Sequence, residues 1–240
     1  MSAMMRLKRL IRVTKDAILP PRCVLCGVEA LAHALCADCS ALLDENLDAC
    51  ARCAQPLPRS APMCGDCLET PPSFDAAWAG FVYQPPFDHL VQRLKFAQRL
   101  SCARALAPRW VESMRIRRSQ VNEPLPQVLL PVPLHRSRLR QRGFNQALEL
   151  ARELKSEFNI PIRADAMRRT RATTPQPGLD IDQRKRNVRG AFEVVAQDLP
   201  ACVALIDDVM TTGATLSEAS KVLKRAGVQR VELWVLARRP

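Results

Sequence analysis

VALIDDVMTTGAT, residues 203–215, joins an apolar run to two acids, a Thr-Thr-Gly turn and the start of an amphipathic stretch. The segment ACVALID, 201–207, reads as a strand buried on both faces. Residues Ala214 to Ala226 have helical spacing, and Gly227 stops them. Asp207 and Asp208 are then expected at the carboxyl end of a strand, where open α/β sheets bind ligands. Gly213 allows a tight turn, and a helix start offers unpaired N–H groups and a positive dipole end to a phosphate. The hydroxyls of Thr211, Thr212 and Thr215 can add hydrogen bonds to its oxygens. Paired carboxylates beside that turn can accept from two vicinal ribose hydroxyls or hold a divalent cation. Neither GxxxxGK[ST] nor GxGxxG occurs, so this is not a nucleotide P-loop or a dinucleotide fingerprint. A strand-to-helix turn capped by threonine would need no ligand. The order strand, paired acids, Thr-Thr-Gly, helix favours the ligand site.

Outward from this segment the pattern alternates. Phe74 to Tyr83 reads as a strand pair or one long strand. Pro85 and Pro86 introduce a helix over Phe87 to Phe96. A second helix is expected from Ser101 to Arg117, kinked at Pro108. QVLLPVP, 127–133, reads as a buried strand that ends in a basic loop. Phe144, Leu148, Ala151 and Leu154 mark a helix, and Gln229 to Ala237 a final strand. Residues 168–190 are polar, rich in arginine and irregular, a length that implies function or disorder. Strands alternating with helices predict an α/β fold with a mostly parallel sheet flanked by helices.

Eight of the ten cysteines lie between residues 23 and 67 as four CxxC pairs. They are Cys23 and Cys26, Cys36 and Cys39, Cys50 and Cys53, and Cys64 and Cys67. Each turn aims two thiolates at one ion, and two turns complete a tetrahedral S4 site. Zinc is preferred over an iron–sulfur cluster, which the spacing also permits. A disulfide framework is disfavoured without a secretory signal, and thioredoxin-like chemistry without a surrounding βαβ pattern. Two structural zinc ions are expected, because four thiolates leave no position for a catalytic water. Sequential pairing is simplest, and an interleaved arrangement uses the same spacing. Cys102 and Cys202, far from this cluster, read as small buried hydrophobes.

The three units expected are an N-terminal amphipathic helix over 1–22, a double zinc-ribbon-like module over 23–70, and a larger α/β domain over 71–240. The formal net charge is +12. Residues 131–190 hold 14 Lys and Arg against 6 Asp and Glu, a surface that attracts polyanions or phosphorylated ligands. With one Tyr, three Trp and seven Phe, a base-stacking platform is not evident. No apolar run reaches the length of a membrane span, and the basic start lacks the apolar centre of a secretory signal, so a cytoplasmic location is expected.

VALIDDVMTTGAT resembles the phosphoribosyl-diphosphate fingerprint of type I phosphoribosyltransferases. The wider chain resembles the ComF family, which includes ComFC and GntX-like proteins. The likeness runs through PPRCVLCG, the paired CxxC units, HLVQRLKF at 89–96, PVPLHRSRLRQRGFNQA at 131–147 and the pattern QxxLxxxxRxxNVxGAF from Gln176 to Phe192. It implies a type I phosphoribosyltransferase fold on the 71–240 region, with Mg2+ and phosphoribosyl diphosphate as ligands and pentosyl transfer as the reaction. Asp207 and Asp208 would hold the ribose hydroxyls. Thr211, Thr212, Gly213, Ala214 and Thr215 would cradle the 5-phosphate. Arg136, Arg140, Arg142 and Asn145 would face the pyrophosphate, with Arg142, next to Gly143, favoured over Arg138. Lys95 would assist from the preceding helix. Residues 170–190, with Gln176, Arg184 and Asn187, would form a hood. The resemblance also implies a link to DNA uptake, in which the chain could instead be a non-catalytic adaptor for single-stranded DNA or RNA beside a competence helicase.

Overall fold

The computed structural model describes residues 22–30, 34–96, 100–120, 123–172 and 181–240. Apart from Arg22, the expected helix over 1–22 lies outside the described residues. Four strands form one parallel sheet in the order β1 (Ala76–Val82), β6 (Arg230–Arg238), β5 (Cys202–Met210) and β2 (Val128–Pro131). A short antiparallel pair, β3 (Met167–Arg169) and β4 (Phe192–Val194), stands apart from it. The helices are α1 (Ala37–Ala41), α2 (Gly65–Glu69), α3 (Phe87–Phe96), α4 (Leu100–Ser119), α5 (Arg136–Arg142), α6 (Gln146–Phe158), α7 (Ile181–Val188) and α8 (Ala214–Arg225). None among the described residues is long and apolar enough to cross a membrane.

The apolar runs are continuous because both faces of the sheet are covered. Side chains alternate along each strand. Ala204, Ile206, Trp234 and Leu236 therefore join one core with Leu90 and Leu94 of α3, Leu106 and Trp110 of α4, and Leu150 and Leu154 of α6. Val203, Leu205, Leu233 and Val235 join the other with Leu216, Ala219 and Leu223 of α8, and with Met167 and Phe192 of the small hairpin. Glu232 is fully buried in β6, yet its carboxylate accepts from Arg118, Arg230 and the Trp234 indole. Pro108 sits within α4 and does not end it.

The cysteine-rich segment closes an edge of the sheet. Glu45 forms an antiparallel bridge with Phe81 of β1, and Val82 N–H donates to the Asp44 carbonyl at 2.9 Å. This covers an edge that would otherwise invite pairing with another chain. Arg109 of α4 donates to the Ser40 hydroxyl at 2.8 Å, and Arg117 to the Asn46 carbonyl at 2.9 Å.

Gly80 lets α4 approach β1. A Cβ there would lie 2.4 Å from Cδ1 of the fully buried Trp110. Gly80→Ala is therefore expected to destabilise the fold by about 1–3 kcal/mol or more, read as a lower denaturant midpoint.

Candidate functional site

The eight clustered cysteines form two groups, Cys23, Cys26, Cys36 and Cys39, and Cys50, Cys53, Cys64 and Cys67. The pairing is sequential. Within each group the sulfurs lie within 4.8 Å of one another. The separations Cys26–Cys36 and Cys53–Cys64 are both 3.7 Å, and Cys50–Cys67 is 4.0 Å. A tetrahedron with Zn–S bonds of about 2.3 Å has edges of about 3.8 Å, so each group fits zinc. The electrostatics agree. Burial opposes charge on Cys23, but N–H groups of Cys26, Cys36 and Leu25 outweigh it and bring the thiol down to about 6. Burial, with the neighbouring thiols, pushes Cys39 up. In the second group, burial on Cys50 is again outweighed by backbone N–H groups, while burial raises Cys53 to about 11. Four thiolates this close require a cation between them.

The second site is a cleft of about 670 Å3 at the carboxyl ends of β5 and β2. The sequence ends this strand at Asp207, with both acids at its carboxyl end, but β5 continues through both to Met210. The reason is β6, which pairs with β5 as far as Arg238. On the other side β2 stops at Pro131, opposite Ile206, and so leaves that flank of Asp207 and Asp208 open. Both acids line the cleft. Asp208 is buried and its Oδ1 lies 3.1 Å from Lys95 Nζ on α3. Asp207 Oδ1 accepts from Asp208 N–H at 2.9 Å. Burial, then the charge of Asp208, pushes the Asp207 carboxyl up to about 7 against the pull of Lys95 and Arg169.

Thr211 to Thr215 line the same cleft. Gly213 is the N-cap of α8 with φ 72°, so this position favours glycine by conformation. As a glycine it offers no side chain to cap the helix, and Ala214 N–H donates to Thr212 Oγ1 at 3.4 Å. Arg142 and Asn145 also line the cleft. Asn145 has structural work as well: its Oδ1 accepts from Ala147 N–H at 3.0 Å, capping α6, and its Nδ2 donates to the Val132 carbonyl at 3.0 Å.

The expected basic loop is the helix α5, closed by Gly143 at φ 75°. Helical spacing separates its arginines. Arg138 and Arg142, four apart, line the cleft, whereas Arg136 and Arg140 are exposed and outside its lining. Arg184 falls in α7, which packs on α8, while Gln176 lies outside the described residues. Arg169 of β3, Gln92 and Tyr83 line the cleft without having been singled out in the sequence. Arg169 lies over the Phe192 ring, its Cζ 5.2 Å from the centroid. Burial, then Arg138, pulls its guanidinium down to about 10, still charged at neutral pH. The two-residue period of β3 puts it on the same side as buried Met167, which shows only once these three residues are known to form a strand. Lys95, Arg138, Arg142 and Arg169 thus face two carboxylates across one cavity, a balance that suits a multiply charged anion.

Comparison with known proteins gives this arrangement a family. Residues 14–68 match the double zinc ribbon domain. The chain is 34% identical over 222 residues to competence protein F of Haemophilus influenzae, covering 90% of this chain and 96% of that one. It is 34% identical over 221 residues to the DNA utilization protein YhgH of Escherichia coli K12, covering 91% and 97%. Competence protein ComFC of Bacillus subtilis is 34% identical over 103 residues, 42% of this chain and 39% of that one. With the sequential cysteine sites and a parallel sheet behind them, identity over nearly the whole length shows that the chain belongs to the ComF family.

Proposed function

We propose that the cleft binds phosphoribosyl diphosphate and that the chain is a phosphoribosyltransferase acting in nucleotide or nucleoside metabolism linked to DNA uptake or utilization. The observation that carries this reading is the junction of two carboxylates with a glycine-led helix start in one cation-rich cavity. The 5-phosphate would take N–H groups of the 211–215 turn and the threonine hydroxyls. Asp207 and Asp208 would accept from the two ribose hydroxyls. Arg138, Arg142 and Arg169 would receive the pyrophosphate, with Lys95 beside Asp208. Mg2+, which prefers carboxylate and phosphate oxygens with retained waters, would neutralise diphosphate charge, and the two acids suit it directly or through water. In transfer, the bond from the anomeric carbon to the pyrophosphate oxygen breaks with its electron pair leaving on oxygen. An acceptor nucleophile bonds to that carbon. The fixed carboxylates favour the positive charge that builds on the ribose, and the arginines favour the departing anion.

The names of the relatives, and Arg136 and Arg140 exposed outside the cleft, support a second reading: a non-catalytic adaptor for single-stranded nucleic acid. Titration with phosphoribosyl diphosphate and Mg2+, followed by pyrophosphate release across a panel of bases, separates the two. For the transferase, Asp208→Asn is expected to fold normally and lose at least tenfold in turnover. Binding to single strands that weakens steeply with salt and survives Asp208→Asn, with no pyrophosphate released, would establish the adaptor instead.

A further inference from the structure

We infer that Arg238 is a positioning residue that ties the second cysteine cluster to the phosphate-cradling turn. It stands at the end of β6, in register with Met210 of β5. Its guanidinium spans two parts of the molecule. Nε donates to the carbonyl of Cys53, one of the four sulfur ligands of the second cluster, at 3.2 Å. Nη1 donates to the carbonyl of Met210 at 3.3 Å and to that of Thr211. One planar fork therefore holds backbone from both sites at once.

The consequence follows from peptide geometry. In a trans peptide the C=O and the following N–H point in opposite directions. The Met210 carbonyl, held by Arg239 N–H at 3.0 Å as well as by Arg238, and the Thr211 carbonyl, held by Arg238, face the β6 side, which turns the Thr211 and Thr212 N–H groups the other way. β5 lies between β6 and β2, so that way is the flank β2 leaves open, where the cleft lies. Within the turn, Gly213 has no side chain to cap α8, and the Thr212 hydroxyl reaches Ala214 N–H only at 3.4 Å. Packing joins the same two parts: Cys53 and Ala54 lie in the core that contains Met210. The second cluster is thus a buttress of the anion site as well as a fastening for its own loop.

This inference rests on reading the 211–215 turn as an anion cradle, and its test has readouts independent of that reading. The zinc-loaded full chain is compared with Arg238→Met and Arg238→Lys by amide hydrogen exchange at 211–214, by the rate at which a chelator strips the ion of the second cluster, and by phosphoribosyl diphosphate titration with Mg2+. Both variants should keep two zinc ions per chain as purified. Amide exchange in the turn should rise at least tenfold in Arg238→Met and by less in Arg238→Lys, which keeps charge but loses the fork. Because the variants lose or weaken the bond from Nε to the Cys53 carbonyl, the ion of the second cluster should leave at least threefold faster in Arg238→Met. Affinity should fall at least tenfold in Arg238→Met and less in Arg238→Lys. Unchanged turn exchange, or an unchanged stripping rate, in the variants that fold overturns the coupling; should Arg238→Met not fold, Arg238→Lys alone decides. If the wild type binds no phosphoribosyl diphosphate, the proposed function fails while exchange and stripping still judge Arg238.

Discussion

Cys50→Ser is expected to reduce bound zinc from two ions per chain to one and to produce the largest loss of stability of any single substitution considered. Cys50 is 0% exposed, and its sulfur accepts from Cys64 N–H at 3.2 Å. A structural zinc site contributes on the order of 10 kcal/mol at neutral pH, and losing one of four thiolates forfeits a large share of it. The damage should spread. Arg52, inside the same CxxC turn, donates to the Asp75 carbonyl at 3.0 Å and the Pro72 carbonyl at 3.1 Å, just before β1. Ala54, buried beside the cluster, accepts from Asn46 Nδ2 at 2.9 Å. The first cluster should behave differently, since Cys26 is exposed. A chelator is expected to remove one ion quickly and the other slowly. Cys26→Ser should also leave one ion, with a smaller fall in melting temperature than Cys50→Ser. Metal analysis with thermal unfolding checks both, and equal stripping rates for the two ions would contradict this asymmetry.

Where residues were legible in the sequence, a strong local signal announced them. The Val203–Ile206 run must be a strand buried on both faces, and the CxxC spacing must aim thiolates at a common point. What stayed hidden had no such signal. α5 reads RSRLRQR, has no buried residue and hence no apolar period to mark it as a helix. β3 and β4 are three residues each and mix charged with apolar side chains, so their pairing shows only when residues 167–169 meet 192–194. Arg169 was one arginine in a basic run until that hairpin brought it to the cleft. Arg138 ranked below Arg142 because adjacency to a glycine was the available cue, whereas the helix puts both on one side. Arg238 carries no motif in the sequence, and only the β5–β6 register sets it behind Met210. The extent of β5 was also a property of its neighbours: β6 prolongs it and β2 abandons it.

Asp207→Asn is expected to make the ligand-free protein more stable while weakening ligand binding. The carboxyl is raised from its ordinary value to about 7 by burial and by Asp208. Between pH 4 and pH 7 the folded chain therefore retains a proton that the unfolded chain gives up. Stability falls as pH rises through this window and levels off above it. The asparagine cannot ionise, so that slope should disappear. The variant should gain most at pH 8, by about 1–3 kcal/mol once partial solvent access is allowed for, and gain least near pH 4. Binding should move in the opposite direction. A charged acceptor for the ribose hydroxyls is worth about 1.5–3 kcal/mol, so phosphoribosyl diphosphate affinity should drop about 10- to 100-fold. Thermal unfolding from pH 4 to pH 8, paired with calorimetric titration, tests both directions on one preparation. A variant less stable than wild type at pH 8 would mean that the carboxylate supports the fold. A more stable variant that binds ligand less tightly is the signature of a residue kept for its chemistry at the expense of stability.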